Sequence, residues 1–155
     1  MATGDLDAVS RAIDQLLRLN ASRKVHARQS AAAGVLVSQP GYVLLRRIAE
    51  DGPLSLGELA RLTHMDPAAA GRQVRQLEAD GLVERRAGKA DARVTEVRTT
   101  ARGREVRRRL SKVLGRHLED ALVDWSPDDL ATLAGLLNRL VDDLRAAHYR
   151  PVDAA

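Results

Sequence analysis

Residues 55–81 read SLGELARLTHMDPAAAGRQVRQLEADG, and this stretch carries two start signals for helices. Ser55 and Glu58 have the capping-box spacing, in which the serine hydroxyl accepts from a first-turn N–H and the glutamate reaches back to the serine N–H. Asp66 and Pro67 are a second start signal. Aspartate is a good helix cap, and proline fits the first helical position because an N–H there would have no partner within the helix. The stretch therefore predicts two short helices joined by a tight turn, which is a helix-turn-helix.

The apolar pattern changes from a helical to an alternating period after Asp80-Gly81, which is a typical helix stop. Residues 82–86 and 93–98 are predicted to be strands, and the Gly-containing segment 87–92 is predicted to be the hairpin loop between them. A helix-turn-helix followed by a basic hairpin is a winged helix.

Further helices are predicted on both sides of this lobe. Apolar residues recur at helical spacing over 6–33, which predicts one long N-terminal helix. A second helix over 42–48 follows a break at Pro40-Gly41. After the hairpin, one long helix begins at Thr100, and a last helix is capped by Ser126.

The composition excludes several classes of protein. The 155 residues are 45% hydrophobic and 30% charged, which is typical of a globular chain. The absence of cysteine excludes disulfides, thiolate metal sites and thiol redox chemistry. No apolar run approaches the roughly 20 residues of a membrane span, and the N-terminus has no signal-peptide pattern. We therefore expect a cytoplasmic protein without membrane contact.

The positive charge is concentrated in the middle of the chain. Residues 61–116 hold fifteen basic and seven acidic residues, a net charge of +8, whereas residues 117–155 carry −5. A basic block that contains the helix-turn-helix and the hairpin indicates a polyanionic partner. The alternative is an ordinary charged surface that faces solvent.

Four motifs together resemble the MarR family of transcription regulators. They are GELARL at 57–62, QLEADGLVERR at 76–86, the acidic-x-Arg motif DAR at 91–93, and TARGR at 100–104. The resemblance covers nearly the whole chain. It implies a dimer held by the first and last helices, and a small-molecule pocket between the dimer region and the DNA-binding lobe.

The predicted fold class is mainly α with a small β-hairpin wing, a winged helix-turn-helix with N- and C-terminal dimerisation helices. The DNA-binding lobe is predicted at 37–99, the dimerisation helices at 1–36 and 100–150, and a tail at 151–155. A homodimer is also expected on physical grounds, because the apolar faces of the first and last helices exceed what one small lobe covers.

The second helix of the helix-turn-helix is the expected reader of DNA. Val74 and Leu77 should face inward, so the outer face is predicted to present side chains that pair with guanine and adenine in the major groove. These are Arg72, Gln73, Arg75 and Gln76. Where the family usually has Ser or Thr, this chain has Ala68, Ala69 and Gly71. One hypothesis is that these small residues approach the floor of the major groove, with alanine methyls against thymine methyls. The alternative is that the helix recognises DNA more weakly than in other members of the family.

The hairpin is expected to contact the minor groove and the phosphates. The resemblance implies that Arg93 enters the minor groove and that Asp91 orients it. The alternative is that these two residues pair to stabilise the hairpin. Arg85, Arg86 and Lys89 are predicted to contact phosphates, which contributes affinity and salt dependence rather than sequence choice. For Arg86 the alternative is that it faces the dimerisation helices.

No catalytic or cofactor chemistry is predicted. The four histidines lack metal-ligand spacing, and the sequence has no Gly-rich phosphate loop, nucleophile elbow or paired-carboxylate pattern. We therefore expect no enzyme activity, no cofactor and no metal. For the effector pocket that the resemblance implies, a phenolic or other aromatic acid is a common ligand type. Its candidate contacts are Arg18, His26 and Arg46, each of which is otherwise an ordinary surface residue.

The sequence thus predicts a homodimeric regulator that binds a pseudo-palindromic operator in double-stranded DNA and is a repressor released by a small-molecule effector. Two alternatives stay open. One is a ligand-blind architectural DNA binder with the same fold. The other is a winged-helix module that joins protein partners, for which a basic block over the helix-turn-helix is not needed.

Overall fold

A computed structural model describes residues 3–88 and 91–148 of the chain. The described elements are, in chain order, α1 (Thr3–Asn20), α2 (Arg23–Ala33), α3 (Gln39–Asp51), β1 (Leu54–Ser55), α4 (Leu56–Thr63), α5 (Pro67–Ala79), β2 (Val83–Ala87), β3 (Thr95–Thr99), α6 (Ala101–Ala121) and α7 (Pro127–Ala146). The chain divides into two compact units, Met1–Arg116 and His117–Ala155. The expected fold class, mainly helical with a small hairpin wing, is confirmed.

The helix-turn-helix consists of α4 and α5, as the capping signals predict. The Ser55 hydroxyl accepts from the Glu58 N–H at 3.3 Å, and the Glu58 carboxylate accepts from the Ser55 N–H at 2.8 Å. Asp66 accepts from the Ala69 N–H at 3.0 Å and starts α5. His64 ends α4 in the left-handed conformation, with φ 52°, so the chain turns there toward α5.

Three strands form a small antiparallel sheet in the order β1-β3-β2. β2 pairs with β3 along the whole length of both strands, which forms the predicted hairpin. The two-residue strand β1, which the sequence pattern does not predict, lies on the other side of β3. It pairs Leu54 with Val97 and Ser55 with Glu96. The hairpin is therefore joined directly to the residue that caps α4.

The core of the first unit is made of aliphatic side chains from α3, α4, α5 and the sheet. Its buried members are Leu44, Leu45, Ile48, Leu54, Leu59, Val74, Leu77, Leu82, Val83 and Val97. Full burial of such a side chain contributes about 1.5–3 kcal/mol. Because helices and strands share one cluster, the core fixes the position of α5 relative to the wing.

The N-terminal region forms two helices, so the single helix expected over 6–33 is wrong. α1 ends at Asn20, and Ser22 starts α2 by accepting from the Val25 N–H at 3.4 Å. A serine hydroxyl satisfies a free N–H at a helix start, whereas inside a helix it competes with the backbone. This local preference divides the helix although the apolar spacing continues across it.

α3 begins earlier than expected, and Pro40-Gly41 lies within its first turn instead of breaking the chain. Ser38 is the N-cap and accepts from the Gly41 N–H at 3.1 Å. Proline is compatible with a first helical turn because N–H groups there have no partner within the helix. The helix continues through Asp51, which the sequence pattern places just beyond its end.

Thr100 and Gly103 hold α6 against the chain that precedes β2. The Thr100 N–H donates to the Leu82 carbonyl at 3.0 Å, while its hydroxyl donates to the Gly81 carbonyl at 2.7 Å and accepts from the Gly103 N–H at 3.0 Å. An ideal Cβ on Gly103 would lie 2.0 Å from the Leu82 oxygen. Glycine is therefore needed here for space.

The second unit contains α7, which starts at the expected cap. Ser126 accepts from the Asp129 N–H at 3.1 Å, and the Asp129 carboxylate accepts from the Ser126 N–H at 3.2 Å. No described residue of α7 is buried. Its exposed large apolar side chains are Leu130, Leu136, Leu137, Val141 and Leu144. In the first unit, α1 likewise exposes Leu6, Val9, Leu16, Leu17 and Leu19.

Candidate nucleic-acid interface

The outer face of α5 presents the guanidinium groups of Arg72 and Arg75. Both side chains are exposed, whereas Val74 and Leu77 are buried, as expected. Among residues 3–88 and 91–148, neither arginine belongs to an ion pair, although arginines on α3 and in the wing do. The two charges are therefore available to an anionic partner.

Gln73 does not occupy the outward position that its place on α5 predicts. Its side chain is half-buried, and its Oε1 accepts from the Ser38 hydroxyl at 2.8 Å. An ideal Cβ on Gly41 would lie 3.0 Å from Ser38 Oγ and 3.5 Å from Gln73 Oε1, so Gly41 leaves the space for this contact. Gln73 lies inward because the cap of α3 offers it a hydroxyl donor.

Gly71 also lies on the inner side of α5, so it is not a candidate for the groove floor. It is buried, and an added Cβ would lie 3.6 Å from Leu56 Cδ2 on α4, an ordinary van der Waals distance. Ala68 is exposed and Ala69 is half-exposed in the first turn. The small residues that remain on the outer surface are therefore these two alanines.

The arginines of the two wing strands pair with carboxylates. Arg85 Nε lies 3.3 Å from Glu78 Oε2 of α5, and Arg86 Nη2 lies 3.0 Å from Glu84 Oε2. Arg98 Nε on β3 lies 2.8 Å from the other oxygen of Glu84. The hydrogen bonds from Arg86 and Arg98 lower the pKa of Glu84 below its ordinary value of 4.5. Since all these side chains are partly exposed, each pair contributes little to stability.

The tip of the wing is organised by Asp91 and Gly88. The Asp91 carboxylate accepts from the Arg93 N–H at 2.9 Å, so the contact between these residues is with the backbone. The Gly88 N–H donates to the Val94 carbonyl at 2.7 Å, and a Cβ on Gly88 would lie 2.8 Å from the Asp91 carbonyl oxygen. The Arg93 side chain is exposed. Lys89, which is also an expected phosphate contact, lies outside the described residues.

A groove of about 890 Å³ lies in the first unit between α2, the start of α3, and α5. His26 lines it, with Nε2 2.8 Å from the Val37 carbonyl oxygen. A carbonyl only accepts, so this nitrogen carries a proton. The buried Ser30 hydroxyl lies 3.2 Å from the same nitrogen. Gln73 lines the groove as well, which places the groove beside α5.

Of the three expected effector contacts, His26 lines this groove, whereas Arg18 and Arg46 do not. Arg18 lies on the surface of α1, 3.8 Å from the Asp14 carboxylate. Arg46 lies on α3, 3.6 Å from Glu50. Both are ion pairs between residues four apart on a helix surface. Of the three residues, only His26 therefore lines the groove, and each arginine belongs to an ion pair within its own helix.

The described residues contain no group of three or more His, Asp or Glu side chains placed to hold a metal ion. Within these ranges, too, we find no helix with the length and apolarity that crossing a membrane requires.

Comparisons with known proteins point to one family. The model of the MarR family matches residues 37–95. A probable transcriptional regulator from Pseudomonas aeruginosa is 30% identical, with a TM-score of 0.60, over 83% of this chain and 96% of that structure. The chain belongs to the MarR family. MarR-family proteins are transcriptional regulators with a DNA-binding helix-turn-helix fold, and not enzymes.

Two further proteins are similar to this MarR-family chain. The uncharacterized HTH-type transcriptional regulator YdgJ of Bacillus subtilis is 31% identical over 108 residues, which are 70% of this chain and 66% of YdgJ, just under two thirds of its length. The structure of a MarR family protein from Bacillus stearothermophilus is 17% identical with a TM-score of 0.83, over 94% of this chain and 99% of that one. The latter similarity concerns the fold alone.

Sequence patterns do not identify Ser38, Glu78 and Glu84 as part of this surface. For Ser38 a signal exists, because the order Ser-Gln-Pro is a recognisable helix start. Glu84 has a local signal in Arg86, two residues on in the same strand, but Glu78 has none because its partner Arg85 lies on β2, and Arg98, the second partner of Glu84, lies on β3. These three residues determine which polar groups of α5 and the wing stay available.

Proposed function

We propose that this MarR-family chain is a repressor that binds a pseudo-palindromic operator in double-stranded DNA as a homodimer. The observation that carries the proposal is the pair of exposed arginines, Arg72 and Arg75, on the second helix of the helix-turn-helix. This helix enters the major groove in such proteins, and arginine makes bidentate contacts with guanine O6 and N7 there.

The wing supports a second contact with the same DNA. Arg93 is exposed beside a turn that Asp91 stabilises through the backbone, so its guanidinium is available to the minor groove. A narrow A·T-rich minor groove attracts arginine because its negative potential is enhanced. Arg85 and Arg86 exchange a partly exposed carboxylate for phosphate, and such contacts make affinity depend on salt.

The apolar faces of α1 and α7 support a homodimer. Single exposed leucines are common on protein surfaces, but contiguous apolar faces are typical of interfaces. Leu136 and Leu144 on α7 are each 60% exposed, as are Leu17 and Leu19 on α1. Two copies that join through these helices, within the segments 1–36 and 100–150, would present two lobes to half-sites about one helical turn apart.

The groove beside α5 supports release by a small molecule. Its volume of about 890 Å³ lies in the range of roughly 300–1,000 Å³ that is typical of ligand sites. A ligand there would contact His26 and Gln73, and Gln73 belongs to the DNA-reading helix. Such a ligand releases DNA when it binds more tightly to the arrangement of α5 that does not fit the operator.

The test is the affinity of the purified protein for its own upstream intergenic DNA and for scrambled DNA of equal length, near physiological salt. Specific binding should exceed non-specific binding by about 10³-fold or more. Arg72→Ala should abolish most of this difference. Arg28→Ala is the matched control, because it removes the same charge from the exposed surface of α2.

Two results would contradict the proposal. Equal and strongly salt-dependent binding to both DNAs would indicate an architectural DNA binder, and no binding to either would indicate a protein-interaction module.

The effector is tested separately with a panel of phenolic acids on the protein–DNA complex. A compound that releases the wild type should release His26→Ala only at higher concentration; equal release would exclude the groove.

A further inference from the structure

We propose that each copy reads its half-site through two neighbouring side chains of α5. The methyl group of Ala68 contacts the C5-methyl of a thymine, and the guanidinium of Arg72 contacts a guanine one or two base pairs away. The inference rests on the proposed DNA-binding function and extends it by adding a thymine, by assigning each base to one side chain, and by setting the spacing between the two bases.

The spacing of the two bases follows from the helix. Ala68 and Arg72 are four residues apart on α5, and both are exposed. Side chains at this separation share one face of a helix, with Cβ atoms about 5–6 Å apart. Successive bases of one strand are about 3.4 Å apart along the DNA axis. With α5 in the major groove, the two side chains therefore meet bases one or two pairs apart.

The first turn of α5 discriminates between bases by apolar contact. Pro67, Ala68 and Ala69 have no polar side-chain atoms. The carboxylate of Asp66 is engaged by the Ala69 N–H at 3.0 Å. The C5-methyl of thymine is the apolar group that the major groove presents, and alanine is among the residues that contact it. The outer surface of this turn therefore favours thymine.

The polar reading falls to arginine because the glutamines of α5 have other partners. Adenine recognition needs both the oxygen and the nitrogen of an amide. The oxygen of Gln73 accepts from Ser38 at 2.8 Å, and the nitrogen of Gln76 donates to the Asp80 carboxylate at 3.1 Å. Arg72 stands nearer than Arg75 to the N-terminal end of α5, the part of such a helix that meets base edges. Guanine is the base that arginine selects.

The test begins with binding sites that the full-length wild type selects from randomised duplex DNA. In a selected site, each thymine is replaced in turn by deoxyuridine, which removes the C5-methyl and nothing else. One thymine in each half-site should respond, with affinity about fourfold lower, the factor that corresponds to one buried methyl-sized group.

Two matched variants assign this response to a side chain. Ala68→Gly lacks the methyl group, so its affinity should no longer distinguish thymine from deoxyuridine at that position. Ala79→Gly makes the same change at an exposed position near the other end of α5 and should keep the fourfold difference. Thermal unfolding of both variants controls for any loss of folded protein.

The guanine is tested in the same sites. Replacement of the guanine one or two base pairs from the responding thymine by adenine should weaken the wild type about 5- to 150-fold, and Arg72→Ala only slightly. If no thymine responds, or if the response persists in Ala68→Gly, the inference is wrong although the DNA-binding proposal stands. If no sequence is enriched at all, the proposed function itself fails.

Discussion

The packing of the first unit requires a residue without a side chain at position 103, where the chain has glycine. An added Cβ would lie 2.0 Å from the oxygen and 3.0 Å from the carbonyl carbon of Leu82. Both atoms belong to the backbone, so no rotation of a side chain relieves the contact. The TARGR motif at 100–104 thus describes how α6 packs beside the sheet, with Thr100 as the hydrogen-bonding partner of the same segment.

Gly103→Ala should destabilise the protein by about 3 kcal/mol, because overpacking against backbone forces α6 away from Leu82. Gly115→Ala is the matched control in the same helix. No atom lies within 4 Å of its added Cβ, so it should stabilise by up to about 1 kcal/mol through helix propensity. Urea unfolding measures both changes. Effects of the same sign in the two variants would contradict this account of the motif.

Ser38 has two roles, since its hydroxyl accepts from the Gly41 N–H and donates to Gln73. Ser38→Ala should lower the free energy of unfolding by about 1 kcal/mol, the typical cost of a lost N-cap. Gln73→Ala removes the second contact and leaves the cap, so we expect a smaller loss in thermal unfolding. An equal or larger loss in Gln73→Ala would show that the cap is the minor role.

At the level of elements, the wing and α5 are connected by charge as well as by the core. Arg85 on β2 pairs with Glu78 on α5, and Glu84 joins β2 to Arg98 on β3. These carboxylates neutralise arginines that would otherwise repel one another in a basic hairpin. If a DNA phosphate replaced one of these carboxylates, the strand would already hold the arginine guanidinium in position.

Glu84 should give the wing a dependence on pH. Its pKa is lowered in the folded state, so its contribution to stability is fully present above the ordinary value of 4.5 and is lost as the pH falls through the folded-state value. Wild type should therefore exceed Glu84→Gln in free energy of unfolding at neutral pH, and the difference should shrink below about pH 4.5. Urea unfolding from pH 7 to pH 3 measures this. A difference that stays constant with pH would refute it.

Arg93→Ala should weaken operator binding by about tenfold or more and leave thermal unfolding nearly unchanged, because its side chain is exposed. Asp91→Ala is a useful comparison, since it removes the acceptor for the Arg93 N–H and loosens the turn. We expect Asp91→Ala to lower both affinity and thermal stability. A stability loss in Arg93→Ala as large as that in Asp91→Ala would assign Arg93 a structural role.

Local signals predict the elements well where a cap lies next to the helix it starts. Ser55, Asp66 and Ser126 cap helices that the sequence pattern predicts, and the hairpin follows from its alternation. Contacts between distant segments have no such signal. The partner of Gln73 lies 35 positions away at Ser38, so the local pattern on α5 gives Gln73 the wrong orientation. The N-cap at Ser22 is missed for a different reason. The apolar residues keep their helical spacing across Ser22, so the pattern predicts one continuous helix there.

At the level of the whole molecule, the two units leave apolar faces that we expect a second copy to cover. Leu137→Arg should place a charge in the apolar face of α7 and shift the protein to a monomer at micromolar concentration. Asn138→Arg, at the adjacent exposed polar position, adds the same charge and should leave the dimer intact. Light scattering coupled to size-exclusion chromatography measures both. A wild type that is monomeric, or a Leu137→Arg variant that stays dimeric, would contradict this interface.

The shortest element of the fold, β1, connects the wing to the helix-turn-helix. Ser55 is at once the last residue of β1, paired with Glu96 in the wing, and the N-cap of α4. Leu54 beside it is buried in the shared core. We therefore expect the hairpin and the helix-turn-helix to open together in amide hydrogen exchange, with similar opening free energies. If the wing does not fray alone, the distance between the recognition helix and the wing is already set before the proposed contact with an operator.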